Sequence, residues 1–215
     1  MTLALFDLDN TLLNGDSDHA WGLYLAEIGA VDKAYHQQKQ DEFYQDYVSG
    51  KLDIVKFLKF QLSPLTQHPL EQLHAWRANF IETIIKPMIS TGKKDLITKH
   101  RDNGDTIVII TATNDFITRP IADLLDVETL IATQAEFING QYTGNITDVP
   151  CFQEGKITRL EKWLESQEVT MEGSWFYSDS INDLPLLETA DNPVAVTPDS
   201  KLRAHAEHYK WPIID

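Results

Sequence analysis

The sequence predicts an α/β protein: a parallel sheet covered by helices on both faces, interrupted after its first strand by a bundle of helices. Three observations predict it. Short apolar runs, among them Leu3-Ala4-Leu5-Phe6, Ile107-Val108-Ile109-Ile110 and Trp175-Phe176-Tyr177, read as strands buried on both faces. Helical patterns separate most of them, as crossovers between parallel strands require. Between Asp16 and Lys86, four helical stripes follow one another with no strand signal.

In chain order, Leu12-Leu13-Asn14-Gly15 reads as a loop leading out of the first strand. Trp21, Tyr24, Leu25 and Ile28 then fall at helical spacing, and Gly29 ends the pattern. Phe43, Tyr44, Tyr47 and Val48 mark a second packing stripe, closed by Ser49-Gly50. Ile54, Phe57, Leu58 and Gln61 mark a third, which should stop before Pro64 because the residue preceding a proline avoids helical geometry. Leu70, Leu73, Arg77, Phe80, Ile81 and Ile84 continue from Pro69 to Lys86-Pro87. The expected division is a core of residues 1–15 and 87–215 and a helical insert of 16–86.

From Thr91 helix and strand alternate. A helix bearing Leu96, Ile97 and His100 ends near Asn103-Gly104, and the Ile107–Ile110 strand follows, with Thr111 at its end. Phe116, Ile117, Ile121, Leu124 and Leu125 form the next helix, and Leu130-Ile131-Ala132 the next strand. Asn139-Gly140 is a hairpin signal, because both residues tolerate the positive φ of a tight turn; the ribbon is expected to be peripheral. Lys156 sits in the first turn of a helix faced by Ile157, Leu160 and Trp163, where a cation opposes the helix dipole. After the Trp175–Tyr177 strand come Val194-Ala195-Val196, a helix from Asp199 to His208 and an apolar tail.

Composition narrows the function. Of 215 residues 42% are apolar and 24% charged, which is ordinary for a folded soluble chain. Lone Cys151 excludes an internal disulfide and a cysteine-rich zinc site and suits a reducing cytoplasm, the expected location. No apolar run is long enough to span a bilayer. The net charge of -15 repels nucleic acid and anionic membrane surfaces, so a small molecule is the expected partner. An anionic substrate must then be held by locally placed cations and N–H groups.

In a parallel sheet the carboxyl ends of the strands share one edge, where ligands bind. Asp7, Thr111 and Asp179 each follow an apolar run and converge there. If Asp7, Asp9, Asp179 and Asp183 gather, their mutual repulsion calls for a cation, and oxygen-only donors point to Mg²⁺. With Mg²⁺ and Lys156 offsetting charge, Asp7 can attack a phosphate ester, Asp9 can carry protons, and Thr111 can hold a phosphoryl oxygen.

The ordered set Asp7-Leu8-Asp9-Asn10-Thr11, Ile107 to Thr111, Lys156 and Asp179-Ser180-Ile181-Asn182-Asp183 resembles the four signature motifs of the haloacid dehalogenase (HAD) superfamily, and the helical insert resembles the C1 cap of its phosphoserine-phosphatase-like branch. The resemblance covers essentially the whole chain and implies a HAD-like Rossmannoid core. It implies Asp7 as nucleophile and metal ligand, Asp9 as acid/base and main-chain metal ligand, and Asp179 as metal ligand. Asp183 would orient a metal-bound water, Asn182 and Ser180 would shape the loop, and Thr11, Ala112 and Thr113 would join the substrate-binding groups.

Phosphoserine phosphatases carry an acid nine residues after the nucleophile that contacts the substrate amine; Asp16 has that place, and also that of a helix N-cap. They also use a cap arginine and often two glycines after the second motif, where this chain has only Arg77 and Ala112-Thr113. The chain is more similar to a bacterial subgroup that includes histidinol-phosphate phosphatases. Two alternatives share the parts: a phosphomutase or phosphotransferase acting on sugar phosphates, and a non-catalytic phosphate-binding protein. A receiver domain, a binding switch instead of an enzyme, also combines strand-end aspartates, a Thr and a Lys on a parallel sheet, but it lacks the helical insert and the acidic cluster at Asp179.

Overall fold

The computed structural model describes residues 2–215. β1 (Leu3–Phe6) leads into α1 (Ser17–Glu27), α2 (Lys33–Ser49), α3 (Ile54–Leu62) and α4 (Leu70–Phe80), which runs through a π-helical segment (Ile81–Ile85) into the short α5 (Lys86–Met88). Then follow α6 (Thr91–Asp102), β2 (Thr106–Asn114), α7 (Asp115–Leu124), β3 (Thr129–Thr133), β4 (Ala135–Ile138) and β5 (Gln141–Ile146). The chain closes with α8 (Glu154–Leu164), β6 (Trp175–Ser178), α9 (Leu184–Thr189), β7 (Asn192–Val196), α10 (Ser200–Tyr209) and β8 (Ile213–Ile214).

Six strands form one sheet in the order β3-β2-β1-β6-β7-β8, and every pairing is parallel. β1 lies inside it. Phe6 is level with Ile109 of β2 and Tyr177 of β6, so Asp7, Thr111 and Asp179 leave the sheet side by side. The β1 run is apolar throughout because both its faces are covered. Leu3 and Leu5 pack with Leu160 of α8, Leu186 of α9 and Leu202 of α10, while Ala4 and Phe6 pack with Ile97 of α6 and Ile117 and Ile121 of α7. Complete burial of each such large side chain stabilises the fold by roughly 1.5–3 kcal/mol, which anchors the strand whose end carries Asp7.

Two sequence readings need correction, the stripe of α2 and the place of the hairpin. The buried positions of α2 are His36 and Gln40, with Phe43 half-buried, rather than a purely apolar stripe: Tyr44 is 63%, Val48 49% and Tyr47 36% exposed. Gly22 explains this, since a Cβ there would lie 2.0 Å from Gln40 Nε2 and 2.4 Å from His36 Nε2; its absence lets two polar side chains lie on the α1 backbone. α3 ends at Leu62, before Pro64 as the pattern requires, and the chain passes into a 3₁₀ turn, Ser63–Thr66, where proline at an initial position donates no needed N–H. The apolar tail is the edge strand β8. Asn139 and Gly140 do form the turn of an antiparallel hairpin, with φ of 52° and 81°. That hairpin is not peripheral: Tyr142 packs edge-on against Phe116, and Gly144 faces Thr66 of the helical insert.

Candidate active site

The carboxyl edge of the sheet gathers the predicted acids around one buried lysine. Lys156 Nζ donates to Asp7 Oδ1 and to Asp183 Oδ2, both at 2.7 Å, and its side chain is 3% exposed. Its awkward place in the first turn of α8 follows from the approach to that helix. Gln153 adopts a left-handed φ of 50°, and a Cβ on Gly155 would fall 2.0 Å from the Pro150 carbonyl oxygen. That tight loop aims Lys156 inward, and Gln153 Nε2 donates to Asn182 Oδ1 at 3.1 Å, tying it to the acidic loop.

Asp9 is held on both oxygens. Oδ1 accepts from the Ser17 N–H at the start of α1 (2.6 Å), and Oδ2 accepts from Thr113 Oγ1 (2.7 Å). The intervening Asn10 takes a left-handed φ of 58°, and Lys93 Nζ secures the loop through the Asn10 and Leu13 carbonyls at 2.8 Å. Thr11 Oγ1 accepts from the Asp179 N–H at 3.0 Å and donates to Asp179 Oδ1 at 3.2 Å. The hydroxyls of Thr11 and Thr113 thus both meet carboxylates, Asp179 and Asp9. Thr111, 1% exposed, accepts from the Thr113 N–H at 3.2 Å, so its own O–H proton can donate to a ligand. Ala112 is half-buried within the irregular pairing between Thr111 and Asn114. Asp183 Oδ2 also accepts from Ser178 Oγ at 2.7 Å, which makes Asp183 the second anchor of Lys156.

Asp16 is the N-cap of α1: its Oδ1 accepts from the Asp18 and His19 N–H groups, both at 2.9 Å. The helical insert reaches the acidic loop through Tyr47, whose hydroxyl lies 2.8 Å from Ser180 Oγ, and meets α10 where Lys201 Nζ donates to the Val48 carbonyl at 3.2 Å. The sequence pattern marks Tyr47 only as a packing position and does not mark Gln153, because each meets the acidic loop through a partner far along the chain.

Burial dominates the protonation of this cluster. It raises Asp7 to about 7 against the opposing charge of Lys156, with Asp183 and Asp9 adding repulsion. It raises Asp9 to about 6, helped by Asp16 and resisted by the Ser17 and Thr113 hydrogen bonds. Asp179 rises to about 8 through burial and then the charges of Asp7 and Asp183. Burial pulls Lys156 down, but Asp183 and Asp7 outweigh it and hold the ammonium charged. One ammonium among these carboxylates leaves a surplus of negative charge that suits a divalent cation. Among the described residues no three His, Cys, Asp or Glu side chains are grouped to hold a metal by themselves. Two carboxylates and a main-chain carbonyl, the set expected here, instead fit Mg²⁺, which keeps waters and takes ligands from its substrate.

The profile of the haloacid dehalogenase-like hydrolases matches residues 4–188. The chain belongs to that family. This hydrolase is 44% identical over 217 residues to the histidinol-phosphatase of Neisseria meningitidis serogroup C, spanning 99% of this chain and 98% of the relative. It is 28% identical to phosphoserine phosphatase SerB1 of Mycobacterium tuberculosis, over 99% of this chain and 70% of that one. A protein of unknown function from Bordetella pertussis Tohama I superposes with a TM-score of 0.94 at 40% identity, covering 100% of this chain and 99% of that one. A substrate-bound phosphoserine phosphatase superposes with a TM-score of 0.72 at 19% identity over 99% of this chain and 92% of that one, which establishes the shared fold.

Proposed function

We propose that this hydrolase is a Mg²⁺-dependent phosphomonoesterase that works through an aspartyl-phosphate on Asp7. The observation that carries the reading is the division of labour between two neighbouring carboxylates: Asp7 lies against Lys156, while Asp9, two residues on, is clamped by Ser17 and Thr113. With Oδ1 on Lys156, Asp7 Oδ2 is the attacking oxygen; it bonds to phosphorus as the ester P–O bond breaks. Asp9, raised to about 6, gives its proton to the departing alkoxide. It then takes a proton from the water that attacks phosphorus, and the bond to Asp7 breaks to release inorganic phosphate. Lys156 offsets charge on Asp7, and the Thr111 hydroxyl donates to a phosphoryl oxygen. Mg²⁺, when held by Asp7, Asp179 and the Asp9 carbonyl, supplies positive charge beside the phosphoryl oxygens. Asp183, beyond anchoring Lys156, would orient a water on such an ion.

The helical insert of residues 16–86 acts as the lid that excludes water and selects the leaving group. The substrate is a small amine-bearing phosphate ester, histidinol phosphate before phosphoserine. The similarity to the Neisseria enzyme supports this choice. So does Arg77, the single arginine of the insert, which donates to the Phe116 carbonyl at 2.7 Å and stacks on the Phe116 ring, leaving a substrate carboxylate without that partner. Among the described residues no helix is long and apolar enough to cross a membrane, and the buried free thiol of Cys151 suits a cytoplasmic enzyme. Release of inorganic phosphate from p-nitrophenyl phosphate, histidinol phosphate, phosphoserine and sugar phosphates tests the reading. It fails if Asp7→Asn turns over as fast as wild type, and the amine assignment fails if a sugar phosphate is preferred.

A further inference from the structure

Around the first turns of α1 the structure encloses polar atoms that the mechanism above does not use. Ser17 Oγ, Asp18 Oδ1 and Gln40 Oε1 are buried with no hydrogen-bond partner, and their residues are 0%, 6% and 4% exposed. Buried polar atoms are ordinarily paired, so three such atoms on neighbouring elements ask for a ligand. All three are oxygens able to accept. A protonated primary amine carries three N–H donors and no acceptor, the complement of that set.

We propose that Asp18, with Ser17 and Gln40, receives a protonated amine on the leaving group and so sets the enzyme's preference for amino-alcohol phosphates. This rests on the phosphomonoesterase reading.

Position supports it. The N–H of Ser17 donates to Asp9 Oδ1 at 2.6 Å, so the residues that hold the proton donor for the leaving oxygen adjoin the enclosed acceptors. α2 and α3 complete the surroundings: Gln40 Nε2 lies 3.3 Å from His36 Nε2, and Gln61 Nε2 donates to the Asp18 carbonyl at 3.5 Å. Gly22, one turn beyond Asp18, provides the space that brings Gln40 and His36 against α1. No protein cation pairs with Asp18 among the described residues. His36 does not serve, because burial lowers its pKa and favours the neutral ring. Burial, with the charges of Asp16 and Asp9 adding to it and Gln61 resisting, raises Asp18 to about 8, and an incoming ammonium would favour the carboxylate again. Asp16 is the weaker candidate, since its Oδ1 already accepts two α1 N–H groups.

The experiment compares phosphoethanolamine with propyl phosphate, in which a methyl group replaces the ammonium. Wild-type enzyme should favour the amine in kcat/KM by about tenfold or more, the range of one charge-assisted hydrogen bond. Asp18→Asn should remove about tenfold of that ratio, mainly through KM, while Asp16→Asn keeps it within about threefold. An unchanged ratio in Asp18→Asn, or a loss seen in Asp16→Asn instead, overturns the proposal. If Asp18→Asn does not fold, Gln40→Leu decides: the ratio should fall by about threefold or more, and an unchanged ratio refutes the site. If the wild type turns over no phosphate ester, the phosphatase reading itself fails. Calorimetric binding of phosphoethanolamine against propyl phosphate then still decides the role of Asp18, equal affinities overturning it.

Discussion

Replacing Lys156 by methionine keeps the volume of the side chain and removes its charge, which makes it the sharpest probe of how the site is held together. At 2.7 Å, each contact of the ammonium with Asp7 and Asp183 represents about 6 kcal/mol of gross attraction at an effective dielectric of about 20. Most of that is offset by the desolvation of three buried charges. Deleting one partner of a buried pair leaves the other uncompensated and typically costs about 3–5 kcal/mol. For a chain of this length that corresponds to a fall in Tm of roughly 10 °C. The loss must depend on pH. Asp7 already sits at about 7, and losing Lys156 moves it further up, so the variant's carboxyl holds its proton more firmly and the deficit shrinks in acid. Thermal unfolding of chelator-treated wild type and Lys156→Met at pH 5.5 and pH 8, followed by circular dichroism, reads both effects. A Tm difference below about 3 °C at pH 8, or an equal difference at both pH values, would refute the electrostatic account of this lysine.

Other consequences follow from the same geometry. Asp9→Asn should slow turnover by about 10²–10⁴-fold, with phosphoenzyme accumulating; rapid dephosphorylation would exclude its role as base. In the metal-free protein Asp7 and Asp179 hold protons that an unfolded chain has lost above its usual carboxylate pKa of 3.8, so stability should fall as pH rises from about 4 toward about 8. Saturating Mg²⁺ should cancel that fall, and Mg²⁺ affinity should strengthen between pH 6 and 8, measured by calorimetry. Tyr47→Phe removes the hydroxyl that meets Ser180, and KM should rise about threefold to tenfold with a smaller change in kcat if this contact helps hold the lid down.

Much of the framework was legible in the chain because its causes are local. The runs that became β1, β2, β3, β6 and β7 are short and apolar, and Asp7, Thr111 and Asp179 mark their ends. Lys156 announced itself by violating the helix-dipole rule, and the structure shows it drawn there by two carboxylates. What escaped depends on backbone detail or on distant partners. The hydroxyls of Thr11 and Thr113 turn to Asp179 and Asp9 because of the left-handed Asn10 and the irregular pairing after Thr111. The stripe of α2 was misjudged because Gly22 of another helix admits polar groups. The unpartnered Oδ1 of Asp18 is invisible in sequence, where the residue reads as an ordinary acid in a first helical turn.

The central claim is that Asp7 carries the phosphoryl group. Acid quenching during steady-state turnover of p-nitrophenyl phosphate, followed by peptide mass mapping, tests it most directly. The account predicts a phosphorylated peptide containing Asp7, labile to hydroxylamine and enriched in Asp9→Asn. A phosphoryl group on any other residue, or turnover persisting in Asp7→Asn, would contradict it.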